Sequence, residues 1–483
     1  MTHKAFSLGV LPLALLLALS GCTMQPDYQR PALPVAGQYD RYGASDEGNG
    51  ADIRWQTFFT DPVMNKLIAS ALANNRDLRV AALNVEVARS QVQIDRAALL
   101  PSVNLSAGGT GTHLPGGLYS TQSSGPVTYH QYDASLGVTS WELDFFGRLR
   151  SLRDQALEQY LATAASERAT QIGLIAEVAS AYLSLCSDNQ LLALAGSTLN
   201  SQQDSYNLTQ RSYNGGVASE QDLLQAETSV RTAQADVASY TRQVRQDVNA
   251  LALLVGSDLP ANLLADARLD NAWRFPATPA GLPSDLLTRR PDIIAAEHTL
   301  KAANASIGAA RAAFFPSISL TASGGSSSGS LGHLLSGGSS SGSLGHLLSG
   351  GSGAWSFAPG INLPIFDGGV NAANLDIAKL QKRIEIADYE KAIQSAFKDV
   401  SDALAGQDTY RDELQARQLD EKASQRNYDL ATLRYREGVD NYLNVLVAQR
   451  TLYGAQQARI TTQLGQLNQQ ITLYKALGGG WKS

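Results

Sequence analysis

Side chains able to do covalent or redox chemistry are few. The 483 residues hold two cysteines, Cys22 and Cys186, six histidines and three methionines. No Cys-x-x-Cys pair or Cys/His group has metal-site spacing, and the two thiols make no disulfide scaffold. No His-Glu-x-x-His sequence occurs, and Glu297-His298 stands alone on a helical stretch, so an envelope hydrolase is a weak reading. His333 and His346 are copies of one another inside a tandem repeat and argue poorly for a metal site. The expectation is a chain that is no enzyme, with no metal and no dissociable cofactor. One thiol has a specific context. Cys22 follows Leu19-Ser20-Gly21 at the end of an apolar run from Ala5 to Ala18. This looks like a lipobox, in which a bacterial signal peptidase cuts before Cys22, the sulfur takes diacylglycerol and the freed amine takes an acyl chain.

The apolar run suits a secretory signal and falls short of the roughly 20 residues of a membrane-spanning helix. Thr23, a non-Asp residue after the cysteine, resembles the outer-membrane sorting pattern of bacterial lipoproteins. No later stretch reads as a membrane-spanning helix, so any crossing falls to strands. With 38 Lys and Arg against 44 Asp and Glu, the formal net charge of −6 argues against nucleic acid as a partner.

The elements that position these residues are written twice. Ala97-Ala98-Leu99-Leu100-Pro101-Ser102-Val103 answers Ala312-Ala313-Phe314-Phe315-Pro316-Ser317-Ile318 at a shift of 215, and Tyr213-Asn214-Gly215-Gly216-Val217 answers Tyr435-Arg436-Glu437-Gly438-Val439 at 222. Between the anchors lies a pair of strands in each half. Val103, Leu105 and Ala107, then Ile318, Leu320 and Ala322, then Trp355, Phe357, Ile361, Leu363 and Ile365 alternate with small or polar residues. A strand near Tyr132 to Phe145 changes parity between Val138 and Trp141, which reads as a bulge. A soluble sandwich shows the same alternation, so strand pattern alone leaves both open.

Very long helices follow each hairpin. No proline interrupts residues 127–259 or follows Pro364, and Leu149 to Tyr213 as one helix would run roughly 100 Å at about 1.5 Å per residue. Leu174, Val178, Ala181 and Leu185, beside Ile175, Ala179, Tyr182 and Cys186, form two neighbouring seams, and two seams imply two neighbours. On its seam, Cys186 reads as a small packing residue. The second half repeats the pattern with Ile386, Tyr389, Ile393, Ala396 and Val400. The expected domains are a signal peptide at 1–21, a lipidated extended segment at 22–61, a first repeat at 62–256, a connector at 257–283, a second repeat at 284–477 and a tail at 478–483. The hairpins fall at about 101–146 and 316–366, the helical tips near 214–219 and 436–441.

Four strands cannot close a membrane barrel. Three copies give 12, an even number suited to outer-membrane barrels, and bring their long helices into a ring. The expectation is therefore a chain mainly α with a transmembrane β-barrel: 12 strands from three copies, a ring of seamed helices that makes a hollow tube, and two structural repeats per chain.

The mature chain resembles the TolC-like outer membrane factors, and within them the OprM and CusC type of lipoprotein (the NodT group) that serves resistance-nodulation-division efflux pumps. The matching stretches are Pro26-Asp27-Tyr28-Gln29-Arg30-Pro31, Asp144-Phe145-Phe146-Gly147-Arg148, Arg289-Arg290-Pro291-Asp292-Ile293, Gly308 to Pro316, Pro364-Ile365-Phe366 and Ala476-Leu477-Gly478-Gly479-Gly480. The resemblance implies a homotrimer in the outer membrane, embedded in its lipids and extending into the periplasm. It implies a trimeric 12-stranded outer-membrane barrel continued by a long periplasmic α-helical barrel with a collar near its middle. It implies passive conduction, with an inner-membrane transporter of the resistance-nodulation-division class and a periplasmic adaptor (membrane fusion) protein delivering drugs or other toxic solutes. Copper or silver export is the alternative within that class, and a trimeric structural envelope lipoprotein the alternative outside it.

It also implies site residues. Gly216, Val217, Ala218, Ser219, Gly438, Val439, Asp440 and Asn441 correspond to the tips that dock the adaptor. Asp222 matches the family's tip aspartate, and Arg434 and Tyr435 the residues it pairs with to hold a periplasmic gate closed. Leu443 matches the apolar constriction. Val447 stands where OprM-like proteins carry an aspartate, which removes an acidic ring and suggests a second apolar tier that resists passage by dewetting. A further departure is Ser323 to Leu335, repeated letter for letter as Ser336 to Leu348. An odd insertion of 13 inside a strand inverts its faces, so the repeat is expected in the hairpin loop.

Overall fold

The structure is a computed structural model that describes residues 23–37, 39, 52–115, 126–260, 263–264, 267–269, 273, 275–276, 278–281, 283–328 and 353–481. Cys22 with the rest of the signal, residues 329–348 of the tandem repeat, and His333 and His346 lie outside them. The elements run α1 (Trp55–Phe58), α2 (Pro62–Asn74), α3 (Arg76–Ala97), β1 (Val103–Leu114), β2 (Val127–Leu143), α4 (Arg148–Asn214) and α5 (Glu220–Val255). After the connector come α6 (Leu286–Arg289), α7 (Pro291–Ala312), β3 (Ser317–Ser328), β4 (Gly353–Asn362), α8 (Val370–Arg436) and α9 (Tyr442–Ala476). The chain divides into two compact units. One comprises Met1–Arg30, Glu86–Leu161 and His298–Ile386, the other Pro31–Val85, Ala162–Glu297 and Ala387–Ser483.

The first unit carries one antiparallel sheet in the order β1-β2-β3-β4. Its register explains the parity change seen in the sequence. Val138 pairs with Ala322 and Trp141 with Leu320, so three steps along β2 match two along β3. Without that bulge at Thr139 and Ser140, Trp141 and Leu143 would turn to the opposite face from Leu136 and Val138. Ser140 takes φ 53°, and its backbone N–H donates to Thr321 Oγ1 at 3.1 Å. The result is one apolar face, with Leu105 opposite Leu136, Ile318 opposite Ile361 and Ala322 opposite Phe357. On the other face Ser106 meets Ser135 at 2.9 Å and Ser323 meets Ser356 at 2.8 Å, hydroxyl to hydroxyl. The apolar face is open, with Leu105 78%, Trp355 82% and Ile361 73% exposed. A sandwich would bury those residues under a second sheet, and exposure this extensive is what a lipid-facing surface requires.

The tandem repeat corrects one expectation. Ser323 to Ser328, the first six residues of its first copy, lie in β3 and pair with β2, Ser323 opposite Gly137 and Ser328 opposite Tyr132. Serine and glycine fit there because the strand end needs backbone partners more than side-chain volume.

The second unit holds a core of Trp55, Phe58, Phe59, Met64, Leu67 and Ile68 packed on both seams of α4 and on Ile460, Leu467, Ile471 and Tyr474. Phe58 stacks on Tyr474 with centroids 4.1 Å apart. Contrary to expectation, a stretch of α4 is apolar and long enough by composition to cross a membrane. Its Ile172, Ile175, Val178, Ala179 and Leu183 are buried, so that apolarity supplies the core of a helical layer. Cys186 is buried there too, its thiol pushed up to about 12 by burial, which leaves little nucleophilic thiolate.

Among the described residues, two helical faces have no partner. Val80, Leu83, Val87 and Ile94 lie along α3, and Val370, Ile377, Leu380 and Ile384 along the start of α8, all more than half exposed. Their 3, 4 and 7 spacings are those of a coiled-coil seam.

Candidate functional site

Both helical hairpins reverse in the same way. At the first tip Gly216 takes φ 72°, and Val217 N–H donates to Ser212 O at 2.8 Å. At the second, Gly438 takes φ 71° and Val439 N–H donates to Arg434 O at 2.9 Å. Each is a helix C-terminus closed by a left-handed residue, a conformation that costs a residue with a Cβ roughly 1 kcal/mol or more. The next helix then starts on a polar cap, Ser219 in one half and Asn441 in the other.

The tips differ in chemistry. Ser219 and Asp222 form a reciprocal capping box: Asp222 Oδ2 accepts from Ser219 N–H at 3.1 Å, and Ser219 Oγ accepts from Asp222 N–H at 3.2 Å. In the second tip, Arg434 grips Asp440 with both prongs, Nε to Oδ2 at 2.6 Å and Nη2 to Oδ1 at 3.2 Å. That contact holds the Asp440 carboxyl below its ordinary range and raises the Arg434 guanidinium. Ser212 and Ala218 occupy the equivalent places of the first tip, so only the second turn is pinned by charge.

Behind the turns, Ala226 of α5 packs on Tyr442, Val445 and Leu446 of α9, joined by Tyr206, Tyr428, Ala431 and Tyr435. The rings of Tyr435 and Tyr442 are 5.2 Å apart. Gln449 Nε2 donates to Ser201 Oγ at 3.0 Å and Tyr453 OH to Asp236 at 3.2 Å, tying α9 to α4 and α5. Leu443 and Val447, one helical turn apart, point away from this cluster and stay 42% and 51% exposed.

The tip residues expected from the sequence therefore fall on the two turns, on the last turn of α8 (Arg434 and Tyr435) or on the first two turns of α5 and α9. Gly216, Val217, Ser219, Gly438, Val439 and Asn441 are exposed, and Ala218 is half-buried. Within one chain, Asp222 is not brought to Arg434 or Tyr435: its carboxylate serves its own cap and Arg434 serves Asp440. The sequence reading missed both contacts. The capping box was legible as Ser-x-x-Asp at the start of a helix. The Arg434–Asp440 pair had one signal, its presence in one half and absence from the other at a shift of 222. Elsewhere, His298 Nδ1 lies 2.6 Å from Glu158 Oε2 as a half-buried pair. Among the described residues no group of three His, Cys, Asp or Glu is placed to hold a metal ion.

Residues 67–257 and 282–479 match the family model described as outer membrane efflux protein. Similar relatives include the antibiotic efflux pump outer membrane protein ArpC of Pseudomonas putida, 49% identical over 100% of this chain and 96% of the relative. The toluene efflux pump outer membrane protein TtgF of Pseudomonas putida is 50% identical over 98% of this chain and 96% of the relative. Among solved structures, the open state of the MtrE outer membrane channel of Neisseria gonorrhoeae superposes with a TM-score of 0.83 at 40% identity, covering 95% of this chain and 99% of that one.

Proposed function

The chain belongs to the outer membrane efflux protein family, whose members are channels rather than enzymes, and from that premise we propose that three copies form one exit duct for organic toxicants. The observation that carries this reading is the sheet: four strands with an exposed apolar face and, among the described residues, no strand paired to either edge, β1 or β4. In a membrane every backbone group must be bonded, so β1 of one copy joins β4 of the next until 12 strands close. The unpartnered apolar seams of α3 and α8 support the same arrangement among helices. Cys22 anchors each copy through its lipid.

The duct is fed at its tips. The paired glycine turns dock the periplasmic adaptor, and an inner-membrane resistance-nodulation-division transporter supplies the solute and the driving force. Asp222 of one copy faces Arg434 and Tyr435 of a neighbour as a gate, with Leu443 and Val447 the apolar constriction inside it. Relatives named for antibiotic and toluene efflux support organic cargo, and a constriction lined by Leu443 and Val447 suits such cargo better than hydrated metal ions. Expression in a host lacking its own channel, with the cognate pump and adaptor, should restore tolerance to toluene and to lipophilic antibiotics. Restored copper or silver tolerance without either would overturn the substrate assignment.

A further inference from the structure

Within the sheet-bearing unit, the stretch that follows Cys22 is not left loose. Arg311 Nη1 donates to Met24 O at 3.2 Å, and Asn304 Nδ2 donates to Pro26 O at 2.7 Å. Lys301 Nζ sits 5.3 Å over the Tyr28 ring. The backbone of Gln25 approaches Gly308 so closely that a Cβ there would stand 2.9 Å from Gln25 N and 2.5 Å from Ser151 Oγ. Residues 301, 304, 308 and 311 share one face of α7, and 28, 26, 25 and 24 meet them in reverse order, an antiparallel strap along one helix.

Each contact is made to measure. Asn304 is fully buried, and its side chain is used at both ends: Nδ2 holds the strap and Oδ1 accepts from Lys382 Nζ of α8 at 2.7 Å. The bonds go to strap carbonyls, so they fix a backbone path rather than recognise side chains. Pro26 has no N–H to leave unpaired on the buried side. The absence of a Cβ at Gly308 lets backbone, α7 and Ser151 of α4 stack in three layers.

We propose that this face of α7 is a dock for the lipid tether, holding residues 23–30 so that the chain leading to the lipid on Cys22 is fixed along α7 beside the sheet. Its place in the fold suits this. α7 ends at Ala312, and β3 begins at Ser317. Between them Phe314 and Phe315 are 43% and 41% exposed, aromatic side chains of the kind that girdle a membrane β-barrel at its interfaces. A tether held at this end of α7 brings lipid and sheet to one level of the bilayer. The proposal rests on Cys22 being the lipid site, but the dock itself does not need the lipid.

A nitroxide spin label on Asp27→Cys in the full-length protein in detergent tests the dock by its mobility, and intact mass tests the lipid separately. Asp27 is exposed between the docked Pro26 and Tyr28, and Cys186 is buried. The label should be slow-moving in the otherwise wild-type protein, and equally in Cys22→Ala exported behind an ordinary signal peptide. Gly308→Leu should shorten its correlation time about tenfold or more, since it forces the strap off, and Arg311→Ala, which perturbs packing least, should shorten it by a smaller factor. Hydrogen-exchange protection of β1 to β4 should stay as in the wild type in Arg311→Ala. A fast-moving label in the otherwise wild-type protein, or unchanged mobility in both α7 variants, would overturn the proposal. An unlipidated mature mass with the label slow would refute the anchor and leave the dock standing.

Discussion

Arg434 has two candidate partners, one on its own turn and one proposed on a neighbouring chain, and this makes the tip testable at single residues. Because Arg434 holds the Asp440 carboxyl below the usual range, the pair contributes stability above the unfolded carboxylate value of about 3.9 and loses it as pH falls through the lower folded value. Amide protection at residues 437–441, taken relative to the intrinsic exchange rate at each pH, should thus hold from pH 7 to about pH 5 and fall only in stronger acid, whereas Asp440→Asn should lack it throughout. The gate is best tested with Asp222→Asn, which removes the charge but keeps an oxygen to cap Ser219. Combined with Arg434→Ala it should raise single-channel conductance in planar bilayers, and Leu443→Ser should raise it further by wetting the constriction. Asp222→Ala differs, since it also removes the second half of the capping box at the start of α5, worth about 0.3–1.5 kcal/mol, read as faster exchange there. Conductance that stays at the wild-type level in every gate variant, with assembly intact, would place the resting barrier elsewhere.

Among the described residues, α3, α8 and the sheet each leave an apolar face without a partner. An exposed seam of four large residues on α3 is costly in water, at about 25 cal/mol per Å² of apolar area left wet, so a partner covering it is strongly stabilising. Val87→Asp or Leu380→Asp sets a charge into such a seam. Either should prevent stable association while leaving the Phe58–Tyr474 core formed, measured as loss of the assembled species on a native gel with near-native helical circular dichroism. In the sheet, deleting Ser140 removes the bulge and should turn Trp141 and Leu143 to the polar face, with failure to insert into vesicles as the readout.

For the whole molecule the test is mass. A detergent-solubilised particle whose protein mass equals three chains is expected, and a stable particle of one or two chains would sink the proposed duct. The first copy of the tandem repeat bears on assembly, since its Ser323 to Ser328 complete β3. Deleting Ser336 to Leu348 leaves that strand's sequence intact, so trimer mass and export should match the wild type within about twofold, given how weakly closure entropy depends on loop length.

The period of the apolar residues determined much of this before any coordinates: period 2 in the hairpins, 4 and 3 spacing in the long helices, and glycine at each reversal, because side-chain direction follows backbone type. The parity change at Val138 and Trp141 was legible for the same reason. The repeat at shifts of 215 and 222 announced two tips alike in backbone. Only the tertiary structure decided which groups meet. Arg434 closes on Asp440 because a left-handed Gly438 folds the chain back by one turn, and Ser323 to Ser328 pair as strand because β2 is long enough to receive them. Met24 to Tyr28 lie on α7 because Gly308 leaves room for a backbone. Such contacts join residues from 6 to 287 positions apart, and their geometry depends on backbone paths that local propensity does not encode.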